Sequence, residues 1–299
     1  MSAPNRSYVL ITACRNEAAY IDRLVDMIAS QTFPPLRWVI VDDGSTDDTS
    51  ERITIRSRDL PFLKQAKMPA GRSRDFSSKV YALQHGCELV KNLSFEYIGI
   101  LDADLRFSDG YYQLLMERFE ADPRLGLCGG AVIDQHAHRT DNIRAGSEDF
   151  HVAGGVHFFR RQCFEQVGGY TPVEVGGEDV IAEMTAMMLG WRVRSFPEIE
   201  VMHLRPEGFG GAGVLQRGMK WGRRFYLLGY HPLYYFAHCV RRMGKKPMII
   251  GSICQLLGFV VAGLKGETRP VSEEFVRFQR KLQISRLRRI LIPSFPGKS

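Results

Sequence analysis

Apolar and polar positions along the first two thirds of the chain follow two rhythms. Short unbroken apolar runs ("SYVLITA", "LRWVIV", "YIGIL" and "LGLCGGAVI") have the length of strands buried on both faces. Between them, apolar residues fall at helical spacing. Ile21, Leu24, Val25 and Ile28 stand at i, i+3, i+4 and i+7, and Val80, Leu83, Cys87 and Val90 share one face of a helix predicted over 77–91. "DGYYQLLMERFE" predicts a helix opened by Asp109. "EDVIAEMTAMML" predicts another, its methionines read as core packing. A helix is also expected from about Thr46, with Asp47 and Asp48 in a first turn where the helix dipole favours negative charge. "WRVRSF" and "IEVMH" predict two closing strands. Strands that alternate with helices imply an α/β fold, a Rossmann-like and mostly parallel sheet with helices on both faces.

Ligands of such sheets sit beyond the carboxyl ends of the strands. Asp42, Asp43, Asp102, Asp104 and His203 each directly follow a predicted strand. Asp102 and Asp104, two apart on an extended segment, would point to one side and converge on a divalent cation, which removes their mutual repulsion. The alternative is a pair of solvated loop aspartates. Carboxylate oxygens suit hard ions, Mg²⁺ or Mn²⁺. Asp42 and Asp43 precede Gly44 in a tight turn and have the acceptors for a nucleobase N–H or a ribose hydroxyl. Glu178 and Asp179 follow a glycine pair, as helix-start charges or as a general base. His203 is read as a structural histidine or a ligand.

The 299 residues suffice for one large domain with an appendage or for two domains. Six scattered cysteines without a C-x-x-C pair suggest reduced thiols in a cytoplasmic protein, and the first apolar run is too short for a signal peptide. The net charge of +7 is uneven. Residues 1–204 carry 22 Lys and Arg against 29 Asp and Glu, a net of −7, whereas 205–299 carry 18 against 4, a net of +14. An acidic front suits a site for cations, and a basic back suits an anionic surface, either lipid headgroups or nucleic acid.

"TACRNEAAYI", "VIVDDGSTDDT", "SKVYALQHG", "LDADLRF", "VGGYTP", "GGEDVIAEMTAMMLGWRV" and "VMHLRPEG" occur in the order and approximate spacing found in family 2 glycosyltransferases of the GT-A fold, which residues 7–205 resemble. The resemblance implies an inverting, metal-dependent transferase using a nucleoside diphosphate sugar. It implies that Asp42 and Asp43 hold base and ribose, with Ala13, Arg15 and Glu17 of the first motif against the nucleoside. Lys79 faces the nucleotide, although Ser78 and Gln84 replace the usual Gly and Asn of that segment. Asp104 binds the metal with Asp102 in support, Ala103 lies between them at the donor, and His203 stands near metal and diphosphate. Asp179, with Glu178 beside it, matches the catalytic base. Gly154 and Gly155 belong to the acceptor and donor-sugar pocket, which His151 and His157 either contact or merely support. "HAH" at 136–138 lacks the spacing of a metal site.

From residue 205 the texture changes, so the domains are expected as 1–204, catalytic, and 205–299, a basic helical extension. Its "GFGGAG" reads as a hinge or lid. Arginines beside Trp221, Phe225, Tyr226, Tyr230, Tyr234, Tyr235 and Phe236 suit a membrane interface, single-stranded nucleic acid, or plain packing. "RGMKW", 217–221, loosely resembles the Q-x-x-R-W motif of processive synthases of the family, with Arg217 for Gln and Lys220 for Arg. The uncharged segment 247–264 is read as a re-entrant or interfacial hairpin rather than a span, with a buried helix as the alternative. The expected protein acts peripherally at the cytoplasmic face of a membrane on a glycan or lipid-linked acceptor, in exopolysaccharide or surface-glycan synthesis, and does not bind nucleic acid. The rival readings are a polyprenyl-phosphate sugar synthase and a binding protein with an inactive transferase domain.

Overall fold

The computed structural model describes residues 6–69, 76–134, 151–205, 213–242 and 248–291. The chain divides into two compact units, one of residues 1–174 and 178–208, the other of 175–177 and 209–299.

In the first unit, β1 (Tyr8–Cys14), α1 (Ile21–Ala29), β2 (Arg37–Asp42), α2 (Thr49–Asp59), β3 (Leu63–Lys67), α3 (Phe76–Val90) and β4 (Tyr97–Ile100) alternate. There follow β5 (Leu105–Arg106), α4 (Tyr111–Ala121), β6 (Leu125–Asp134), β7 (Phe158–Arg160), α5 (Arg161–Val167), α6 (Glu178–Met188) and β8 (Arg192–His203). The eight strands form one sheet in the order β3-β2-β1-β4-β7-β6-β8-β5. Pairing is parallel among β1, β2, β3 and β4 and between β6 and β8. It is antiparallel where β7 meets β4 and β6 and where β5 meets β8.

The central strands are as apolar as a sheet covered on both sides requires: Tyr8, Val9, Leu10 and Ile11 of β1 are wholly buried. Register aligns the carboxyl ends. Cys14 pairs with Asp42, the Asp43 N–H donates to Cys14 O at 2.9 Å, and Leu101 N–H donates to Ile11 O at 3.0 Å. The loops after β1 and β2 therefore leave the sheet at one level, while β4 ends earlier, with Ile100 opposite Ile11. On α1 the four residues at helical spacing are all buried. Gly86 lets α3 approach β1 closely; a Cβ there would come within 2.5 Å of the Ile11 side chain.

Three local expectations are corrected. Asp102 and Asp104 do not lie on an extended segment: the strand stops at Ile100, and Ala103 and Asp104 form a turn into β5. "WRVRSF" and "IEVMH" are one strand, β8, whose register against β6 shifts between Gly130 and Ala131. The helix expected from Thr46 starts at Thr49, because Asp47 is held outside it, its Oδ2 accepting the Ala18 N–H at 3.3 Å and its Oδ1 the Thr49 N–H at 3.1 Å. All six cysteines are free.

The second unit contains α7 (Val214–Leu227), α8 (Pro232–Arg242), α9 (Met248–Leu264) and α10 (Glu273–Leu291). The segment read as a hairpin is a single helix, α9. Its glycines serve packing: a Cβ on Gly258 would come within 2.2 Å of Met219 O, and one on Gly222 within 1.9 Å of Gln255 O. Gly218 and Gly222, four apart on α7, thus let two backbones touch. Of the readings open for the aromatics, packing holds for several. Tyr235 is wholly buried and stacks on Phe259 at 4.7 Å, and Phe225 meets Tyr230 at 4.6 Å. Exposed apolar residues remain at helical spacing: Ile249, Ile253, Leu257, Val260 and Leu264 on α9, and Leu233, Phe236 and Val240 on α8. No helix among the described residues is long and apolar enough to cross a membrane.

Candidate active site

The loops following β1 and β2 are bonded to each other. Asn16 adopts φ +56°, a left-handed conformation that asparagine tolerates, and its Oδ1 accepts the Thr46 N–H at 2.8 Å. Its own N–H donates to Ser45 Oγ at 3.0 Å, and the Glu17 N–H to Thr49 Oγ1 at 2.8 Å. Within this frame Asp42 and Asp43 differ. Asp42 is buried and closes the turn through Gly44 by accepting the Ser45 N–H at 2.9 Å. Asp43 is half-buried, with Oδ2 3.9 Å from Arg15 Nη1. Ala13 is partly buried at the end of β1, and Ala103 belongs to the core.

Asp102 and Asp179 come together across two glycines. Gly154 and Gly155 begin a single 3₁₀ turn, Gly154–Val156. The Asp102 N–H donates to Gly155 O at 3.0 Å. A Cβ on Gly155 would sit 2.6 Å from Asp102 Oδ2, and one on Gly154 2.9 Å from Asp179 Cβ and 3.1 Å from Asp179 Oδ2. Any side chain at 154 or 155 would occupy the ground between these carboxylates. Asp179 stands in the first turn of α6 and accepts the Val180 N–H at 2.8 Å. Lys79 Nζ lies 2.6 Å from Asp102 Oδ1. Burial pulls the Lys79 ammonium down, but Asp102 more than offsets this, and Glu178 and Asp179 add to it, so its pKa rises above the ordinary lysine value.

Asp104 has other partners. Its Oδ2 lies 3.4 Å from His203 Nε2 and 3.2 Å from Arg205 Nε. The antiparallel pairing of Leu105 with His203, and the Leu204 N–H donating to Asp104 O at 2.8 Å, fix this corner. Arg205 also pairs with Glu17 and covers the Tyr20 ring at 5.3 Å. Burial raises the Asp104 carboxyl, but the His203 hydrogen bond and the charges of His203 and Arg205 outweigh it, so the group stays below the ordinary aspartate value. Glu17 is pushed up by burial despite Arg205. Among the described residues no three His, Cys, Asp or Glu gather as a complete ion site. Asp104 and His203 nonetheless fit a divalent ion whose other positions a substrate fills. They offer a hard oxygen and an imidazole at one corner, and a cation, Arg205, already rests against the carboxylate. Asp102 is engaged by Lys79.

Beneath Gly154 lies a network that sequence reasoning missed. Glu183, one helical turn after Asp179 and fully buried, accepts the Val152 N–H at 2.7 Å. It contacts His151 Nδ1 at 2.9 Å and His157 Nε2 at 3.4 Å. His157 is wholly buried and meets the Tyr170 hydroxyl at 2.6 Å, so it supports the site from below. Burial raises the Glu183 carboxyl, yet the two histidines outweigh it and hold the carboxyl below its usual range. Glu183→Ala removes the acceptor from a dry site and is expected to lower stability by about 3–5 kcal/mol, read from the denaturant midpoint, while Glu183→Gln loses less. The only sequence signal for Glu183 is its i+4 spacing from Asp179. A cleft of about 800 Å³ beside α3, lined in part by Tyr81, Cys87 and Phe164, includes none of these carboxylates. "HAH" at 136–138 and most of "GFGGAG" lie outside the described residues.

A family model described as glycosyl transferase family 2 matches residues 9–168, more than half of the chain. The chain belongs to glycosyl transferase family 2. Its similar curated proteins include the poly-β-1,6-N-acetyl-D-glucosamine synthase of Staphylococcus epidermidis, 24% identical over 232 residues that cover 71% of this chain and 53% of that protein. The chain thus spans about half the length of the curated relatives it matches. Among solved structures, the mannosyltransferase PcManGT from Pyrobaculum calidifontis, in complex with GDP-Man and Mn²⁺, aligns with a TM-score of 0.57 at 18% identity, covering 98% of this chain and 90% of its own. Residues 1–349 of S. aureus TarS, in complex with UDP-GlcNAc, align at 0.54 and 16% identity, covering 74% and 65%. These likenesses establish for this member of glycosyl transferase family 2 the GT-A type of mixed α/β fold.

Proposed function

We propose that the protein is an inverting glycosyltransferase that moves a sugar from a nucleoside diphosphate sugar, with a uridine donor first, to a hydroxyl of a glycan or lipid-linked acceptor. The observation that carries this reading is that Asp102 packs against Gly155 and Asp179 against Gly154, adjacent residues where no side chain crowds either carboxylate.

Asp43, half-buried beside Arg15, would accept hydrogen bonds from base or ribose, while Asp42 holds the turn that presents it. Lys79, 2.6 Å from Asp102, would lend positive charge to the departing diphosphate. Asp104 and His203 would hold Mg²⁺ or Mn²⁺, which when bound neutralises charge gathering on a leaving diphosphate. Asp179 takes the proton of the acceptor hydroxyl as that oxygen bonds to the anomeric carbon. The bond from that carbon to the phosphate oxygen breaks, and the nucleoside diphosphate leaves with the electron pair. One base and direct displacement invert the centre. Glu178 shares the electrostatic field at Lys79 without a separate step.

The curated relatives are named as poly-β-1,6-N-acetyl-D-glucosamine synthases, which supports polysaccharide synthesis, as an exopolysaccharide or cell-surface glycan, as the setting. The exposed apolar stripes of α8 and α9, with the net of +14 over 205–299, support action at the cytoplasmic face of a membrane. The test is hydrolysis of a panel of nucleotide sugars by the full chain with Mg²⁺, Mn²⁺ or chelator. One sugar nucleotide, UDP-N-acetylglucosamine first, is expected to be consumed with metal and spared with chelator. Consumption of none would overturn the reading. A polyprenyl-phosphate sugar formed without need of Asp179 would replace it.

A further inference from the structure

The second unit contains a cationic cleft that the transferase reading does not use. It measures about 780 Å³ and runs along α10 beside the start of α8. Arg280, Lys281, Arg288 and Arg289 line it, with Ser285 and His231. On a helix turning 100° per residue these α10 positions fall within one half of the surface, with Lys281 and Arg288 near its middle. Like charges gathered this way repel. From Phe275 onward the sequence has no Asp or Glu. Of the acids closest in sequence, Glu267 is taken by Arg223 at 2.6 Å and Glu273 by Arg277 at 3.5 Å, and Glu274 stands about two helical turns before Lys281.

Two donors of the cleft, Arg280 and His231, are held in place by hydrogen bonds. Arg280 Nε donates to Gly229 O at 3.0 Å, which anchors the guanidinium. The Leu233 N–H donates to His231 Nδ1 at 3.2 Å, so the neutral ring carries its proton on Nε2, and the His231 N–H donates to Gln283 Oε1 at 2.8 Å. Burial lowers the pKa of both groups, and the Arg280 charge lowers His231 further, as Arg269 lowers Arg280. Guanidinium forks, an ammonium, a hydroxyl and an imidazole N–H together match a tetrahedral oxyanion with several acceptors.

We propose that this cleft binds a phosphate-bearing ligand, such as a lipid headgroup or a soluble phosphate. The test uses the full chain and two triple variants that each remove three positive charges. One, Lys281→Gln with Arg288→Gln and Arg289→Gln, empties the cleft. The other, Arg241→Gln with Lys265→Gln and Arg277→Gln, leaves it intact. Calorimetric titration with inorganic pyrophosphate is expected to show binding to the parent, weakened at least about tenfold by the first triple and little by the second. Arg288→Lys with Arg289→Lys is expected to retain most of it. Equal loss in both triples, or no binding to the parent, overturns the proposal. Vesicles of phosphatidylcholine with and without phosphatidylglycerol then separate the sources. Release of vesicle-bound protein by pyrophosphate assigns the cleft to headgroups, and vesicle binding unmoved by pyrophosphate assigns it to soluble phosphate. Donor hydrolysis is expected to be equal in parent and triples, so failure of this site and failure of the transferase reading are told apart.

Discussion

Asp179→Asn is expected to bind the nucleotide sugar as tightly as the parent and to transfer it about a hundred- to ten-thousand-fold more slowly. The amide keeps the shape of the carboxylate. Its oxygen can still accept the Val180 N–H, and its contact with Gly154 is unaltered, so local packing survives. What disappears is a group able to take a proton. Donor affinity by calorimetry and product formation under saturating donor separate the two properties. Turnover at the parent rate would remove Asp179 as the base, and loss of donor affinity would recast it as a binding residue.

The second large effect belongs to Asp104. Asp104→Ala deprives His203 and Arg205 of their shared carboxylate and removes the hard oxygen from that corner. Transfer is expected to fall about a hundred- to a thousandfold, with donor affinity reduced and the response to added Mn²⁺ flattened. The sign of the pH dependence follows from the lowered pKa. The folded group stays ionised as pH drops through the usual aspartate range, so metal stimulation in the parent is retained there until pH falls through the lowered value. Metal titrations at several pH values check both points. Stimulation in the variant equal to that of the parent would locate the ion elsewhere.

Much of this was legible because periodicity reports burial. The residues at i, i+3, i+4 and i+7 on α1 are the ones the fold buries, and the unbroken apolar runs became β1, β2, β4 and β6. Strand ends then placed the acidic residues on one rim. Elements too polar or too short to show a pattern were missed. β3 is an edge strand whose "LKQAK" buries only Leu63, and β7 has three residues that pair antiparallel on both sides. At the site, sequence could name the carboxylates but not their partners. It treated Asp102 and Asp104 as a convergent pair, whereas a turn at Ala103 gives them different partners, Lys79 for the first and His203 and Arg205 for the second. Arg205 and Glu183 were not singled out because their significance lies in contacts with residues distant along the chain, Glu17 for the first and His157 for the second.

The crossing of α7 and α9 has a mechanical meaning. Where Gly222 and Gly258 bring one main chain against the other, neither helix can slide along or roll over its neighbour without colliding with carbonyl oxygens. The two would therefore behave as a single strut. A force pulling on the greasy outer stripe of α9 would be borne by α7 as well, and hydrogen exchange should release the amides of both helices together.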